Sequence, residues 1–142
     1  MTIDALHIAG AVLVGIGAIV IMDVWNLFFQ YSLNISSLNF CLVGRWLSHI
    51  PRGIFMHANI GAAEKRPAEC AIGWTAHYLI GVAFSVMLVV ITSGRWLDDP
   101  TFIPALLVGI GTVPIPYFIM QPALGLGIAA ANTPRPTQAR LK

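Results

Sequence analysis

Long apolar runs alternate with short polar connections along this chain. Three of the runs reach the length of a helix that crosses a bilayer, about 20 residues, and they cover residues 6–29, 70–92 and 102–122. Asp23 is the one charged residue of the first run, which contains no proline. The pattern predicts an all-α integral membrane protein with three transmembrane helices, forming one membrane domain over residues 1–142.

The third apolar run differs from the other two in its proline content. Pro104, Pro114, Pro116 and Pro122 interrupt it, yet apolar residues continue to residue 131. Proline removes a backbone hydrogen bond and kinks a helix, and in lipid the freed carbonyls need other partners. We therefore expect this helix to bend or break near Pro122 and to extend, bent, to residue 131.

The connection between the first two runs contains a short helical pattern. Apolar positions recur at helical spacing over residues 37–49, and Pro51 and Gly53 follow directly. The segment is too short to cross a bilayer. It predicts an interfacial or re-entrant helix, whereas residues 132–142 form a polar, basic tail.

Composition agrees with a lipid environment. Apolar residues make up 57% of the chain and charged residues 10%, whereas soluble domains average about 25% charged residues. The net charge of +2 is too small to indicate nucleic-acid binding. Cys41 and Cys70 belong to no CxxC motif. We interpret them as separate thiols, with a disulfide or a metal site as the alternative.

The basic residues are distributed unevenly between the two sides of the predicted helices. The connection and the tail together hold seven of them, Arg45, Arg52, Lys65, Arg66, Arg135, Arg140 and Lys142, whereas the turn after the second run holds only Arg95. The positive-inside rule then places the amino terminus outside the cell. The long first connection and the carboxyl terminus are predicted to be cytoplasmic, so the short helix lies on the cytoplasmic side.

Orientation groups several polar residues at one depth. Asp23 lies about 9 Å and His77 about 10 Å from the cytoplasmic ends of their helices, at 1.5 Å per residue. The predicted cluster consists of Asp23, Asn26, Arg45, His77, Tyr78 and Gln121. Such a cluster holds helices together, binds a ligand, ion or proton, or takes part in catalysis. All three interpretations remain open.

Arg45 and the histidines allow further alternatives. The guanidinium of Arg45 is expected either to extend to the lipid headgroups or to bind Asp23 or a lipid phosphate. His49, His57 and His77 are the candidate metal ligands, but the spacing of His49 and His57 matches no recognised ligand pattern. We therefore predict no metal site, and the sequence identifies no cofactor.

Several motifs together resemble a known bacterial family. They are Met22-Asp23-Val24-Trp25, Ser37-Leu38-Asn39-Phe40, Leu42-Val43-Gly44-Arg45-Trp46, Pro51-Arg52-Gly53, Gly73-Trp74-Thr75-Ala76-His77-Tyr78-Leu79-Ile80-Gly81, Met120-Gln121-Pro122, Gly125-Leu126-Gly127-Ile128-Ala129-Ala130 and Thr133-Pro134-Arg135-Pro136. The chain resembles the domain-of-unknown-function family 2938, multi-pass proteins of the bacterial inner membrane. The resemblance implies no activity. It also implies a fourth, final helix that is absent here, and hence a homo-oligomer or a partner membrane subunit.

Three functions are consistent with these observations. The first is transport or ligand binding through the polar cluster, in an oligomer. The second is an accessory or assembly subunit of a larger membrane complex, without chemistry of its own. The third is a membrane enzyme acting on lipid-linked substrates, with Asp23 and His77 as acid and base. No nucleophile motif supports the enzyme, which therefore ranks last.

Overall fold

A computed structural model describes residues 3–34 and 38–133 of the protein. Its α-helices are α1 (Ala5–Leu33), α2 (Phe40–His49), α3 (Glu69–Ile91), α4 (Arg95–Asp98), α5 (Phe102–Thr112) and α6 (Gln121–Ala123). A π-helical turn, Pro116–Met120, precedes α6, and single 3-10 turns cover Ile50–Arg52, Ile60–Ala62 and Ile128–Ala130. The described residues contain no strand.

Three helical stretches are long and apolar enough to cross a membrane. They are Ala5–Leu33, Glu69–Ile91 and Phe102–Ala123. Large apolar side chains on them point outward, and Leu13, Ile21 and Leu107 are each more than 60% exposed. Such surfaces suit contact with lipid tails. The predicted all-helical fold with three such helices is confirmed.

The helix boundaries differ from the predicted ones by a few residues. The first helix ends at Leu33 rather than near residue 29. The polar residues after 29 therefore continue the helical backbone hydrogen bonding beyond the apolar run. The short helix begins at Phe40, where the Asn39 side chain accepts a hydrogen bond from the Cys41 N–H at 3.0 Å and caps the helix. Residue 37 and the tail from residue 134 lie outside the described residues.

The third apolar stretch is interrupted earlier than predicted. Helix α5 ends at Thr112, and Val113 separates it from the region of Pro114 and Pro116. The π-helical turn follows, and α6 ends at Ala123. Proline cannot donate the backbone hydrogen bond that an α-helix requires, which accounts for the irregular pairing around both prolines. Non-helical structure follows α6, since Gly125 and Gly127 both adopt positive φ angles.

The chain divides into two compact units, each assembled from separate parts of the sequence. The first unit contains residues 1–25 and 78–113. Within it α1 packs closely on α3, because a Cβ atom at Gly15 would lie 2.7 Å from the Val82 Cα. The Ile19 side chain occupies the space beside Gly81. Small residues permit such close approach between apolar helices.

The second unit contains residues 26–77 and 114–142. Its core consists of Val43, Ile60 and Leu124, with further apolar side chains of α2 packed against them. Backbone hydrogen bonds join the loop before Ile60 to the end of α6, from His57 N–H to the Ala123 carbonyl at 2.8 Å and from Ile60 N–H to the Leu124 carbonyl at 3.1 Å. The loop thus satisfies carbonyls that the end of the helix leaves without helical partners.

Candidate functional site

Helix α2 crosses the first turns of α3 in direct backbone contact. A Cβ atom at Gly44 would overlap the carbonyl oxygen of Glu69, and one at Gly73 would overlap the carbonyl oxygen of Phe40. Only glycine at both positions allows this approach. The crossing brings several polar and reactive side chains of α2 and α3 together.

A disulfide joins the two helices beside this crossing. It links Cys41 in the first turn of α2 to Cys70 in the first turn of α3, and the two Cα atoms are 3.8 Å apart. The interpretation of these cysteines as separate thiols is therefore wrong. The sequence separation of 29 residues gave no indication of the pairing, because it depends on how α2 folds back onto α3.

Arg45 follows Gly44 in α2 and is only 5% exposed. Its Nε and Nη2 atoms donate to the two carboxylate oxygens of Glu69 at 2.8 and 2.7 Å. Its Nη1 donates to the carbonyls of Ile60, Gly61 and Ala63 at 3.2, 3.2 and 3.3 Å. The expectation that Arg45 reaches headgroups, a lipid phosphate or Asp23 is wrong, because Glu69 and these carbonyls engage all three guanidinium nitrogens.

His49 and His57 form a second polar feature of this unit, the imidazole pair. Their ring centroids are 5.1 Å apart, although eight residues separate them. His49 is 4% exposed, and its Nε2 lies 3.1 Å from the Glu64 carbonyl oxygen. That oxygen can only accept, so Nε2 carries the proton and Nδ1 carries a lone pair in the neutral ring. Nδ1 of His49 and Nδ1 of His57 are buried without a hydrogen-bond partner among the described residues.

The environment of His57 favours its neutral form. Burial and, secondarily, the neighbouring His49 lower the pKa of His57 below the ordinary imidazole value. In the same unit, Oε1 of Gln121 is also buried and has no partner among the described atoms. Gln121 follows the π-helical turn directly, a local irregularity that is frequent at functional sites. In the described part of this unit, Nδ1 of His49, Nδ1 of His57 and Oε1 of Gln121 are thus buried without a hydrogen-bond partner, as is Nε of Arg66.

His77 lies in an aromatic group rather than beside the imidazole pair. Its ring stacks on Phe40, with centroids 4.0 Å apart and ring planes at 28°. Trp74 approaches both rings, with its centroid 4.8 Å from that of Phe40 and 5.8 Å from that of His77. This group packs along the crossing of α2 and α3 and extends the contact made by the two glycines.

The predicted polar cluster is divided between the two units. Asp23 and Tyr78 belong to the first unit, where the Tyr78 hydroxyl donates a hydrogen bond to Asp23 at 3.3 Å. Asn26, Arg45, His77 and Gln121 belong to the second unit. The pairing of Asp23 with His77 stays a prediction. Asn26 is half-buried on α1.

Sequence reasoning missed two acidic residues of the second unit. Glu69 binds Arg45, and Glu64 supplies the carbonyl that orients His49. The position of Glu69 as the first residue of α3 was the available signal, since acidic residues favour helix starts. Within residues 3–34 and 38–133 no group of three His, Cys, Asp or Glu side chains is placed to hold a metal ion.

A family profile matches nearly the whole chain and includes this site. The profile described as "Protein of unknown function (DUF2938)" matches residues 12–142. The chain belongs to this family. No curated protein and no solved structure matches it. In this DUF2938 protein the matched region includes α2, α3, the disulfide, the Arg45–Glu69 pair and the imidazole pair, whereas His7 precedes it.

Proposed function

We propose that this DUF2938 protein is a membrane-embedded ligand-binding or transport protein whose ligand is held at the imidazole pair, His49 and His57. The observation that carries the proposal is the buried, unpartnered Nδ1 atom of each ring. Buried polar atoms are normally hydrogen-bonded, because leaving one unpaired costs about 1–3 kcal/mol. A bound ligand removes that cost.

The protonation of the two rings defines the chemistry of the ligand. His49 presents a lone pair at Nδ1, and burial lowers the pKa of His57, which favours its neutral form. Neutral imidazoles bind cations and hydrogen-bond donors, and a metal-binding histidine usually donates its other N–H to a carbonyl, as His49 does to Glu64. The ligand class is therefore a small cation, either a protonated amine or a divalent transition metal for which the described residues supply the two imidazoles and no third His, Cys, Asp or Glu ligand.

The backbone next to the imidazole pair is irregular, and such backbone can change conformation when a ligand binds. Irregular backbone lies on both sides of it, in the 3-10 turn Ile50–Arg52 after His49 and in the segment around His57 that pairs with the end of α6. Interrupted membrane helices border the substrate sites of many transporters. The interruption of the third helix ends next to Gln121, whose Oε1 is a further buried atom without a partner among the described atoms.

A thermal-shift experiment tests the proposal. Purified protein in detergent is titrated with Zn²⁺, Ni²⁺ or methylammonium, and the Tm is measured. A ligand at 100 times its Kd stabilises the folded state by about 2.7 kcal/mol, so a saturable rise in Tm is expected for one probe. The rise should disappear in His49→Phe and in His57→Phe, each compared with its own ligand-free Tm. His7→Phe, outside the second unit, is the control and should keep the response.

The same titration at several pH values provides a second readout. The pKa of His57 is lowered, so the neutral ring persists below the ordinary imidazole value of about 6.5. Ligand binding should therefore weaken as the pH falls through the lowered pKa of His57, because a protonated ring no longer accepts a hydrogen bond or binds a cation. A probe response that is absent, or that survives both histidine substitutions, would contradict the proposed site.

A second candidate function is that of an assembly subunit, and a different observation favours it. Cβ atoms at Gly17, Gly109 and Gly111 would meet nothing within 4 Å, so small-residue surfaces of α1 and α5 are open. Such surfaces pack against other helices in membranes. A second copy of the chain or a partner membrane subunit fits them. Native mass analysis in mild detergent distinguishes a homo-oligomer, a complex with another subunit, and a monomer that would argue against this function.

A further inference from the structure

We propose that Cys41 and Cys70 form a redox-active pair that exchanges with low-molecular-weight thiols. The two residues differ in exposure: Cys70 is exposed to the surroundings, whereas Cys41 is half-buried. An attacking thiolate needs access to one sulfur of a disulfide. The geometry therefore assigns Cys70 as the sulfur that is attacked and Cys41 as the leaving group.

Both cysteines occupy positions that stabilise a thiolate. Cys41 is the second residue of α2 and Cys70 is the second residue of α3. The amino terminus of a helix carries partial positive charge and lowers the pKa of a cysteine there. A low pKa favours the leaving group and stabilises the reduced form, so both helix starts favour reversible reduction of this disulfide.

The contact between α2 and α3 does not depend on the disulfide alone. Arg45 binds Glu69 through two short hydrogen bonds, and the Phe40 ring stacks on His77. The backbone contact at Gly44 and Gly73 adds close packing. These interactions keep the two cysteines together after reduction, and a pair that stays together can be oxidised again.

The predicted orientation gives an independent reason for redox activity. The segment between the two cysteines carries Arg52, Lys65 and Arg66, and the positive-inside rule places such a segment in the cytoplasm. Cytosolic disulfides are rare, and those that form are usually transient, with a catalytic or redox-sensing role. A disulfide on that side is consistent with exchange rather than with permanent stapling.

Two molecules of a monothiol such as glutathione reduce the disulfide in two steps. A first thiolate attacks Sγ of Cys70, the Cys41–Cys70 bond breaks, and Cys41 leaves as a thiolate. A second thiolate attacks the glutathione sulfur of the mixed disulfide and releases the Cys70 thiolate. Two electrons and, after protonation of both thiolates, two protons are transferred to the protein. Two glutathione molecules are oxidised to one glutathione disulfide.

The 142-residue protein in detergent or lipid nanodiscs is the material for the test. It is equilibrated with graded ratios of reduced to oxidised glutathione without denaturant, quenched with acid, alkylated and analysed by mass spectrometry. We expect complete and reversible conversion between the disulfide and the dithiol, with helicity and Tm largely retained in the dithiol form. Oxidised glutathione should modify the Cys41→Ser variant, at Cys70, at least about ten times faster than it modifies Cys70→Ser, at Cys41.

Three outcomes would overturn the proposal. A disulfide that is reduced only after denaturation is structural, and so is one whose reduction unfolds the protein. Equal rates for Cys41→Ser and Cys70→Ser would remove the assigned roles of the two sulfurs. Both serine variants lack the disulfide in the same way, so a difference in rate between them reports sulfur reactivity and not loss of the bridge. The result does not depend on ligand binding at His49 and His57.

Discussion

At the scale of single residues, the ion pair between Arg45 and Glu69 is the most constrained feature of the second unit. Arg45 is 5% exposed and donates from Nε, Nη1 and Nη2. Removing one member of a buried pair leaves an uncompensated charge, whereas replacing both members by apolar residues is often tolerated. The ion pair therefore specifies the position of α2 more than it contributes net stability.

A double-substitution cycle on this pair tests that statement. We expect Arg45→Leu and Glu69→Leu each to lower the Tm in detergent more than the double substitution does, because each single variant leaves one buried charge without its partner. The double variant should remain below wild type, since the carbonyls of Ile60, Gly61 and Ala63 lose their donor. Additive losses, with the double variant least stable, would show that the two charges are not coupled.

The sequence shows which charged residues stand in apolar helices, but it does not show which residues bind them. An arginine in an apolar helix and an aspartate in a membrane span are visible in the sequence, because charges are costly in those places. The partner of Arg45 proved to be Glu69, 24 residues away. That choice depends on the angle at which α2 crosses α3, which no local pattern determines. The disulfide and the imidazole pair were missed for the same reason.

At the scale of elements, the crossing of α2 and α3 depends on two glycines. A methyl group at Gly44 or Gly73 would overlap a carbonyl oxygen of the opposite helix, and backbone atoms cannot rotate away. We expect Gly44→Ala and Gly73→Ala each to destabilise the protein by about 1–3 kcal/mol or more, the usual cost of overpacking. Thermal or denaturant unfolding in detergent measures the loss.

Gly17→Ala is the matched control for the crossing glycines. Gly17 also lies within a helix, but a Cβ atom there would meet no atom within 4 Å. Alanine favours a helix over glycine by about 1 kcal/mol, so in the detergent-solubilised monomer this variant should be as stable as wild type or slightly more stable. Equal losses at Gly17 and Gly44 would mean that general helix effects, and not the close contact, determine stability.

Long apolar helices are predictable for a physical reason that short elements lack. Within lipid a chain must satisfy its own backbone hydrogen bonds, so an apolar run of about 20 residues can hardly be anything but a helix. Helix α3, Glu69–Ile91, accordingly lies within a residue of the predicted 70–92 at each end. The interruption at Val113 was less predictable, because a proline permits several irregular structures and neighbouring residues select one of them.

At the scale of the whole molecule, the distribution of basic residues predicts one orientation. We propose a protein of the bacterial inner membrane with its amino terminus outside and with the long connection and the tail in the cytoplasm. Seven of the eight Lys and Arg residues lie in the connection and the tail. The redox argument for Cys41 and Cys70 uses the same orientation, so a direct measurement of sidedness bears on both.

Single cysteines introduced into a variant that lacks Cys41 and Cys70 provide that measurement. We expect Ser93→Cys, in the turn after α3, to react with a membrane-impermeant maleimide in intact spheroplasts, whereas Lys65→Cys should react only after permeabilisation. The positive-inside rule gives this direction, because short basic segments remain in the cytoplasm. The reverse labelling pattern would place the connection outside the cell, in an oxidising compartment where a permanent disulfide is ordinary. A structural role for Cys41 and Cys70 would then be expected, and the imidazole pair would take its ligand from the outer side.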